Sequence, residues 1–381
     1  MMPLVITPRV AIIYLTYHGK DSYRDITRCF SSLASIDYPR DCVEIICVEN
    51  PSPHGASWPF IEKEWRPRAG VDFPALTIIK NEKDLGYSGA NNVGLAVAIE
   101  HNCDYVFLLN QDADIDLGFL KETIAVAVSD PSIGFVQSLL LLGQDRNKIN
   151  SIGNRYHYLG YGYSGCYQWP IADGLAEIDH ERGTQPYFSP MYFSGAAVLV
   201  RVAMARQLGL FDTAFYMYHE DVDASFNALF HGWKTVVAPK SIVYHYYEFS
   251  KSIKKFYWME RNRYVVLLTY YRLSTLALLA LPFFGVEIIS LAFALRGGWW
   301  REKIRAWGFF FLPSTWRWII VRRSKIQRER QISDREFLRH AESKILFQEN
   351  DISGAGSGVV TRIANPLMTA VWRCIYWCIR F

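Results

Sequence analysis

Paired cysteine motifs are missing from this 381-residue sequence. Its seven cysteines are scattered and odd in number, and no CxxC set occurs among them. Such a pattern builds neither a disulfide framework nor a structural zinc site. Cys374 and Cys378 lie one helical turn apart, but no second ligand pair accompanies them. We therefore expect reduced cysteines and a cytosolic location.

A secretory signal is also missing. Strand-like sequence begins within about ten residues of Met1, without a charged segment followed by an apolar one. The formal net charge is only +4, and half of the residues are hydrophobic, which excludes wholesale disorder. We expect a folded protein that is not secreted, with one large domain and a C-terminal appendage.

The basic residues are unevenly placed, and they cluster among aromatic residues between Lys251 and Arg330. This pattern suits nucleic acid or an anionic membrane surface, and the long apolar runs beside it favour the membrane. The run Leu273–Leu295 would span a bilayer core of ~30 Å. Because basic residues flank it on both sides, however, the positive-inside tendency disfavours spanning.

We therefore predict that residues 265–381 form an apolar helical region that lies on the cytoplasmic face of a membrane, peripheral or monotopic, with no nucleic acid partner. The tail at 364–381 repeats the mixture of aromatic residues and arginine and is interpreted as a further interfacial helix. The alternative is a protein that buries these helices in its own core or in a homodimer.

Residues 1–264 show alternating strand and helix patterns. Short apolar runs at Val10–Tyr14, Val43–Val48, Leu76–Lys80 and Tyr105–Leu109 predict buried strands, and helix-period segments at about 22–35, 88–101 and 119–129 follow three of them. The alternation predicts an α/β fold with a doubly wound sheet. Ligands of such sheets bind beyond the carboxyl ends of the strands.

The motif FLLNQDAD, Phe107–Asp114, places two carboxylates at the end of a predicted strand. A nucleoside diphosphate is strongly negative, so a hard cation held by aspartate oxygens can bridge protein and phosphates. A lone DxD is usually solvated surface, but here it closes a buried strand. Asp112 and Asp114 are therefore candidate metal ligands.

Two further segments carry possible chemistry. Lys80–Gly94 is a strand, a turn and then small residues that open a helix, an arrangement that lets backbone approach a phosphate or sugar. In Gly209–Phe226, Glu220, Asp221 and Asp223 precede a helical pattern. Acidic residues in a first turn are ordinary capping chemistry, but a sugar hydroxyl needs a carboxylate to accept its proton.

Two weaker signals are His245 and a glycine pattern. His245, flanked by tyrosines, is either a packed residue or a further metal ligand. Gly160, Gly162 and Gly165 match the GxGxxG spacing, but no apolar strand leads into them, so we do not expect a dinucleotide site there.

Taken in order, the motifs resemble those of the inverting nucleotide-sugar transferases of glycosyltransferase family 2, especially the rhamnosyltransferase-like members, which have a GT-A fold. The matching pieces cover about residues 10–265: IIYLTYH, CVENPS, NEKDLGYSGANNVG, LLNQDAD, FSGAAVLVR, GLFDTAF with YHEDVD, and ERNRY. The resemblance implies a GT-A catalytic domain at 1–264, with a donor half at about 1–115 and an acceptor half at about 116–264.

The resemblance also implies roles for individual residues. The donor-binding residues would be Thr16, Tyr17, Glu49, Lys80, Asp84, Gly89, Asn91 and Asp112. Asp114 would be the direct metal ligand, with Asp112 near ribose and metal and His245 as a late ligand. Asp221 would be the catalytic base beside Glu220, and the acceptor would meet Ser194, Gly195 and Arg261.

Two positions depart from the family pattern. Glu49 stands where the family usually has the aspartate of VDN, so one extra methylene must fit beside the base, and His18 replaces the usual asparagine. The implied activity is transfer of a hexose or deoxyhexose from a UDP-, dTDP- or GDP-sugar, with Mg²⁺ or Mn²⁺, to a glycan or lipid-linked glycan of the cell envelope.

Two other functions compete with this interpretation. A sugar-phosphate nucleotidyltransferase would require a glycine-rich loop with an arginine after the first strand, where Tyr14–Lys20 offers only Gly19. A membrane-bound binding protein without catalysis would not require the acidic residues Asp112, Asp114, Glu220 and Asp221.

Overall fold

The structure is a computed structural model that describes residues 7–246, 255–346 and 360–379. The described chain divides into two compact units. Unit 1 comprises residues 7–153, 165–228 and 233–246, and unit 2 comprises 154–164, 229–232, 255–346 and 360–379. The boundary predicted at residue 264 falls inside a continuous helix, Lys255–Tyr270.

Unit 1 is built on a mixed sheet of nine strands. They are β1 (Val10–Tyr17), β2 (Val43–Asn50), β3 (Ala75–Lys80), β4 (Tyr105–Asn110), β5 (Ala113–Ile115), β6 (Ile133–Leu142), β7 (Ile149–Ser151), β10 (Ala197–Arg201) and β11 (Lys234–His245). The strand order is β3-β2-β1-β4-β10-β6-β11-β5, and β7 pairs with β6.

The first four strands in this order are parallel, as the alternation of strands and helices predicts. β10 is antiparallel to both β4 and β6, whereas β11 is parallel to β6 and antiparallel to β5. The predicted α/β fold with a mixed sheet is therefore confirmed. The predicted strand starts at Val10, Val43 and Tyr105 agree with the structure. β1, β2 and β4 extend three, two and one residues beyond their predicted ends.

Seven α-helices begin in unit 1: α1 (Ser22–Leu33), α2 (Trp58–Glu64), α3 (Gly86–Glu100), α4 (Phe119–Ser129), α5 (Ile171–Arg182), α6 (Val202–Leu208) and α7 (Glu220–Phe230). Alternate residues of β1 point to opposite faces of the sheet. Ile12 packs in one core with Phe30 of α1, and Ile13 packs in the other core with Ala90 of α3. Both faces are buried, which explains the continuous apolar runs.

Close packing fixes the position of α3. A Cβ added at Gly94 would lie 2.7 Å from Cγ2 of Ile13, so only glycine allows the helix to approach β1 this closely. The first residue of α3, Gly86, has φ +65° and would place a Cβ against the backbone oxygen of Tyr216. These two glycines bring the N-terminus of α3 to the carboxyl edge of the sheet.

Unit 2 contains a hairpin and six α-helices. The strands are β8 (Asn154–Tyr156) and β9 (Gly162–Ser164), and the helices are α8 (Lys255–Tyr270), α9 (Leu273–Arg296), α10 (Trp300–Gly308), α11 (Pro313–Glu329), α12 (Asp334–Phe337) and α13 (Asn365–Cys378). α13 covers the predicted helix in the tail. α8 packs against α10 and α11, and α9 packs against α10 and α13.

Four charged side chains form a buried cluster in unit 2. Glu260 and Arg263 of α8, Glu287 of α9 and Lys303 of α10 are each at least 93% buried. The Lys303 ammonium lies 2.8 Å from Glu260 and 2.9 Å from Glu287, and Arg263 pairs with both carboxylates. The hydroxyl of Tyr264 donates to Glu260 at 3.0 Å. With two charges of each sign, the cluster is neutral.

α9 alone among the described helices is long and apolar enough to cross a membrane by length and composition. Its most apolar stretch of 18 residues has a mean hydropathy of 2.2, and only 11% of that stretch is buried. Most of its surface therefore lacks a partner within the described residues.

Candidate active site

Polar residues close the first three strands side by side, as predicted. Thr16 pairs in register with Glu49, and Glu49 with Lys80. The Thr16 hydroxyl donates to the Glu49 carboxylate at 3.4 Å. The exposed Tyr17 follows on β1, where its backbone N–H donates to the side-chain oxygen of Gln111 at 3.0 Å. The strand order thus brings four predicted residues to one edge.

Glu49 is a buried carboxylate that supports the loop after β2. It accepts the backbone N–H of Ser57 at 2.8 Å, and burial raises its pKa against the hydrogen bonds from Ser57, Trp58 and Thr16. The ammonium of Lys80 lies 3.9 Å from the centroid of the Trp58 ring, a cation–π contact at the same loop.

The entry to α3 forms a small hydrogen-bonded turn. The carboxylate of Asp84 accepts the backbone N–H of Gly86 at 2.9 Å and the hydroxyl of Tyr216 at 2.6 Å. Asn50 binds the turn from the sheet, because its amide donates to the Gly86 carbonyl at 3.1 Å. The turn therefore joins the predicted donor edge to the segment before the acidic cluster.

The other two donor residues predicted on α3 face inward. Asn91 is 1% exposed, and its amide donates to the carbonyl of Tyr87 one turn earlier. Gly89 lies in the first turn, where an added Cβ would approach the Leu85 side chain to 2.8 Å. Their contacts in this structure serve helix packing.

Asp112 and His245 meet at the end of the sheet. Nε2 of His245 lies 3.3 Å from an Asp112 carboxylate oxygen, and the backbone N–H of Tyr246 donates to the Asp112 carbonyl at 2.8 Å. Nδ1 of His245 lies 3.0 Å from the side-chain oxygen of Asn150. A proton on Nδ1 would be donated to that oxygen and would leave the lone pair of Nε2 facing the carboxylate.

This pair fits a divalent cation. Two acceptors that face each other are stabilised by a cation between them, and the 3.3 Å separation is close to the ~3 Å between adjacent ligands of an octahedral ion at ~2.1 Å. A histidine ligand commonly donates the N–H of its second nitrogen to a fixed oxygen, and the side-chain oxygen of Asn150 lies 3.0 Å from Nδ1 of His245. Mg²⁺ sites often use one or two protein ligands, with phosphate oxygens and water completing the shell.

Asp114 is placed differently from the expectation. One of its oxygens accepts a hydrogen bond from Arg146 at 3.0 Å and lies 3.7 Å from Nε of Arg28, and the Tyr246 hydroxyl donates to it at 3.4 Å. Burial raises the pKa of Asp114, and the two arginines oppose that shift. Within the described ranges, no three His, Cys, Asp or Glu side chains form a group that could hold a metal.

The assignment of Asp114 as a direct metal ligand stays a prediction. Two guanidinium groups pair with its Oδ2, whereas its Oδ1 is buried without a hydrogen-bond partner among the described residues. Because the two guanidinium groups would repel a cation, we favour Asp112 and His245 as its ligands. Asp112, assigned from sequence partly to the ribose, shares its site with the predicted ligand His245. The structure brings together Asp112 and His245, and it places Asp114 with Arg28 and Arg146.

Glu220 and Asp221 open α7 as its first two residues. Burial raises the pKa of Asp221 to about 7, although backbone N–H groups, including that of Gly195, hydrogen-bond to its carboxylate. Burial and the neighbouring Asp221 raise the pKa of Glu220 well above its usual range. One Glu220 oxygen is buried without a hydrogen-bond partner. A carboxylate with a pKa near 7 suits a general base.

The predicted acceptor residues Ser194 and Gly195 lie beside this carboxylate pair. The Ser194 backbone N–H donates to the side-chain oxygen of Gln137 at 2.6 Å. The Tyr87 hydroxyl donates to the Gly195 carbonyl, and burial together with Glu220 and Asp221 raises the pKa of Tyr87. The FSG motif before β10 and the start of α7 therefore form one site.

Three residues with an unusual backbone conformation precede α7. Tyr216, Tyr218 and His219 all have φ between 62° and 65°, a region that side chains other than glycine rarely adopt. Such residues cost of order 1–3 kcal/mol each and cluster at functional sites. The backbone oxygen of Tyr216 accepts the N–H of Ser88, which links this turn to α3.

Arg261, the third predicted acceptor residue, belongs to unit 2. It is 5% exposed, and its guanidinium lies 4.4 Å from the Trp258 ring centroid and 4.9 Å from that of Phe309. Nε of Arg261 donates to the side-chain oxygen of Asn262 at 2.8 Å. These contacts belong to aromatic packing on α8.

Several residues of the site were not predicted. Arg28 lies on α1, stacked 3.4 Å from the Tyr246 ring centroid, and nothing in the α1 sequence distinguishes it from a surface arginine. Arg146 lies in the turn after β6, and Asn150 on β7. The only signal in the sequence for this group is that Tyr246, which contacts Arg28, directly follows the predicted ligand His245. Tyr87 lay within a predicted motif but had no assigned role.

A family model described as "Glycosyltransferase like family 2" matches residues 8–266. Among solved structures, the chain is similar to GalNAc-T7 with UDP, GalNAc and Mn²⁺, with a TM-score of 0.54, 14% identity and coverage of 71% of this chain and 49% of that one. This chain thus spans about half the length of GalNAc-T7.

It is also similar to the mannosyltransferase PcManGT from Pyrobaculum calidifontis in complex with GDP-Man and Mn²⁺, with a TM-score of 0.50, 14% identity and coverage of 97% and 86%. No curated protein matches the sequence.

Proposed function

The chain belongs to glycosyltransferase family 2, and from that premise we propose that it transfers a sugar from a nucleoside diphosphate to a hydroxyl group, with inversion at the anomeric carbon. The proposal rests on Asp221 at the start of α7, a partly buried carboxylate that accepts the backbone N–H of Gly195 and whose pKa is raised by desolvation to about 7. The acceptor is proposed to be a glycan or lipid-linked glycan used in cell-envelope polysaccharide synthesis.

In this proposal Asp112 and His245 hold a divalent cation, Mg²⁺ or Mn²⁺. When bound, the ion stabilises the negative charge of the departing diphosphate. Solved structures of the same fold, GalNAc-T7 and PcManGT, contain Mn²⁺ together with a nucleotide or nucleotide sugar. The role of His245 is supported by Asn150, which fixes the ring with Nε2 toward Asp112.

The reaction is a single displacement. Asp221 accepts the proton of the acceptor hydroxyl, whose oxygen forms a bond to the anomeric carbon while the bond from that carbon to the phosphate oxygen breaks. The proton passes to Asp221 and the nucleoside diphosphate leaves as the glycosidic bond forms, so no covalent intermediate with the enzyme is needed. Burial beside Asp221 raises the pKa of Glu220, which favours its neutral form and so limits the negative charge of the pair.

The remaining residues divide between donor and acceptor. Thr16, Tyr17, Glu49, Lys80 and Asp84 line the strand-end region that we propose for the nucleotide, with Gly89 and Asn91 supporting the helix behind it. Ser194 and Gly195, beside Asp221, are proposed to meet the acceptor, as is Arg261. The sugar is proposed to be a hexose or deoxyhexose, in line with the rhamnosyltransferase-like motifs.

Calorimetric titration of the purified protein with UDP-, dTDP- and GDP-sugars, with and without Mn²⁺, tests the donor site. One nucleotide class should bind in a metal-dependent way, and Asp221→Asn should bind it equally well because it alters only the proton acceptor. If no nucleotide sugar binds in the presence of metal, the proposal fails. Formation of a nucleotide sugar from a nucleoside triphosphate and a sugar phosphate would instead identify a nucleotidyltransferase.

A further inference from the structure

α9 has two chemically different sides. The buried positions recur with helical spacing and face its neighbours in unit 2: Thr275, Leu279, Glu287 and Ala294. Apolar side chains occupy exposed positions with the same periodicity, and their exposed fractions are Leu281 85%, Phe284 64%, Ile288 71% and Leu295 58%. The side of α9 that unit 2 does not cover is therefore a continuous apolar stripe.

Charged residues on and beside the covered side of α9 disfavour a position across a bilayer. Glu287, within the second half of the helix, pairs with Lys303 of α10 and Arg263 of α8 in the buried cluster. If α9 crossed the bilayer, these neighbouring charges would have to enter the hydrocarbon or leave Glu287 unpaired there, and both are costly. The ion pairs hold α9 against α8 and α10 and leave its apolar side exposed.

The charge around the stripe indicates what covers it. From Arg296, the last residue of α9, to Arg330 the sequence contains ten basic and two acidic residues. The side chains of Lys303 and Arg330 are buried in ion pairs. Six of the others are exposed: Arg296, Arg301, Arg305, Arg317, Lys325 and Arg328. Trp300 is 40% exposed at the start of α10, and the guanidinium of Arg301 lies 5.5 Å from its ring centroid. Exposed arginine and tryptophan beside an apolar stripe suit an anionic lipid headgroup layer.

We propose that α9 lies in the plane of an anionic bilayer surface, with the Leu281–Phe284–Ile288–Leu295 stripe in the headgroup and acyl boundary and the basic residues that follow it on lipid phosphates. A second copy of the chain would cover the stripe equally well, but the excess of positive charge beside it would oppose itself across such an interface. The cytoplasmic face is the anionic one, consistent with the location expected from the cysteines.

Vesicle co-sedimentation of the full chain tests this. We would compare phosphatidylcholine vesicles with vesicles that contain about 30% phosphatidylglycerol, using wild type, the double variant Leu281→Glu with Ile288→Glu, and a matched control, Val71→Glu with Val128→Glu. The control adds the same charge at exposed apolar positions of unit 1. Far-ultraviolet circular dichroism confirms that each variant is folded.

Wild type and control should bind anionic vesicles at least about tenfold more tightly than neutral ones, should dissociate in 1 M salt or alkaline carbonate, and should bind at least about tenfold more tightly than the α9 variant. Wild type that stays in the supernatant would overturn the proposal. So would resistance to carbonate, the behaviour of a spanning helix, or a wild-type dimer that the α9 variant converts to a monomer.

This inference is independent of the proposed reaction, since the assay contains neither donor nor acceptor. Asp221→Asn, which should abolish transfer, should bind vesicles like wild type. Loss of vesicle binding with retained transfer to a soluble acceptor would therefore contradict the surface alone, and the reverse result would contradict the reaction alone.

Discussion

Nε2 of His245 lies 3.3 Å from the carboxylate of Asp112, although 133 positions separate them in the sequence. The contact depends on the pairing of β5 with β11, which places His245 opposite Ala113. Asp114 is one register position away, opposite Tyr244. Asp112, the candidate metal ligand, directly precedes β5, and Asp114, which pairs with two arginines, lies two residues further along the chain.

Asp221→Asn should lower kcat by about 10²–10⁴-fold, the usual contribution of a general base, because the amide cannot accept the proton. The affinity for the nucleotide sugar should remain within about twofold. Steady-state rates and calorimetric donor binding on the same preparations separate the two effects. Asp223→Asn, two residues further along α7, is the matched control and should retain most of the activity. If Asp221→Asn turned over at the wild-type rate, Asp221 would be excluded as the base.

The pH dependence should follow the same carboxylate. Because Asp221 must be deprotonated to act, kcat/KM should fall tenfold per pH unit below about 7 and level off above it. An ordinary aspartate would place this limb near pH 4. A profile that is flat from pH 5 to 8 would contradict the raised pKa.

Stability should change with pH in the opposite sense. Folding raises the pKa of Asp221 from about 3.8 to about 7, so the folded state binds the proton more tightly than the unfolded chain. The stability that Asp221 gains from this proton is fully present below the pKa of the unfolded chain and is lost as the pH rises through about 7. The melting temperature of Asp221→Asn should therefore equal that of wild type near pH 4 and exceed it at pH 8. If the two melting temperatures differed by the same amount at pH 4 and pH 8, the substitution would have acted through packing instead.

The elements of the sheet could be predicted well and its site only partly. Strand starts at Val10, Val43 and Tyr105 follow from apolar runs bounded by polar residues, a local signal. The partners of Asp112 and Asp114 depend on the non-local pairing of β11 with β5, and neither spacing nor composition encodes it. Arg28 illustrates the limit, since only the position of α1 against β5 gives it a role.

The buried cluster in unit 2 was also outside the reach of sequence reasoning. Glu287 interrupts an apolar run, and Lys303 lies in a basic one, but only the packing of α8, α9 and α10 makes them a pair. Lys303→Met should lower the free energy of unfolding by about 3–5 kcal/mol, because Glu260 and Glu287 would share the single cation Arg263.

Chemical denaturation measures this loss. Lys325→Met, the same change at an exposed position of α11, is the control and should stay within about 0.5 kcal/mol of wild type. Equal losses in the two variants would show that Lys303 contributes no more than a surface residue.

Asp114→Asn should behave as the loss of a structural ion pair. Arg28 and Arg146 would lose their shared carboxylate, and the free energy of unfolding should fall by about 1–3 kcal/mol. Donor binding should still respond to metal. Thermal denaturation with and without Mn²⁺ and donor provides both measurements on one sample, and a variant that is fully stable yet insensitive to metal would return Asp114 to the metal site.

Asp112 and His245, rather than Asp114, are proposed to hold the cation that binds the donor diphosphate. Titration of Mn²⁺ into the protein with a saturating nucleoside diphosphate, followed by water-proton relaxation, reports directly on the bound ion. We predict that Asp112→Asn and His245→Ala each weaken Mn²⁺ binding at least about tenfold, while Asp114→Asn leaves it within about twofold. Loss of Mn²⁺ binding in Asp114→Asn, with wild-type affinity in Asp112→Asn, would contradict the account.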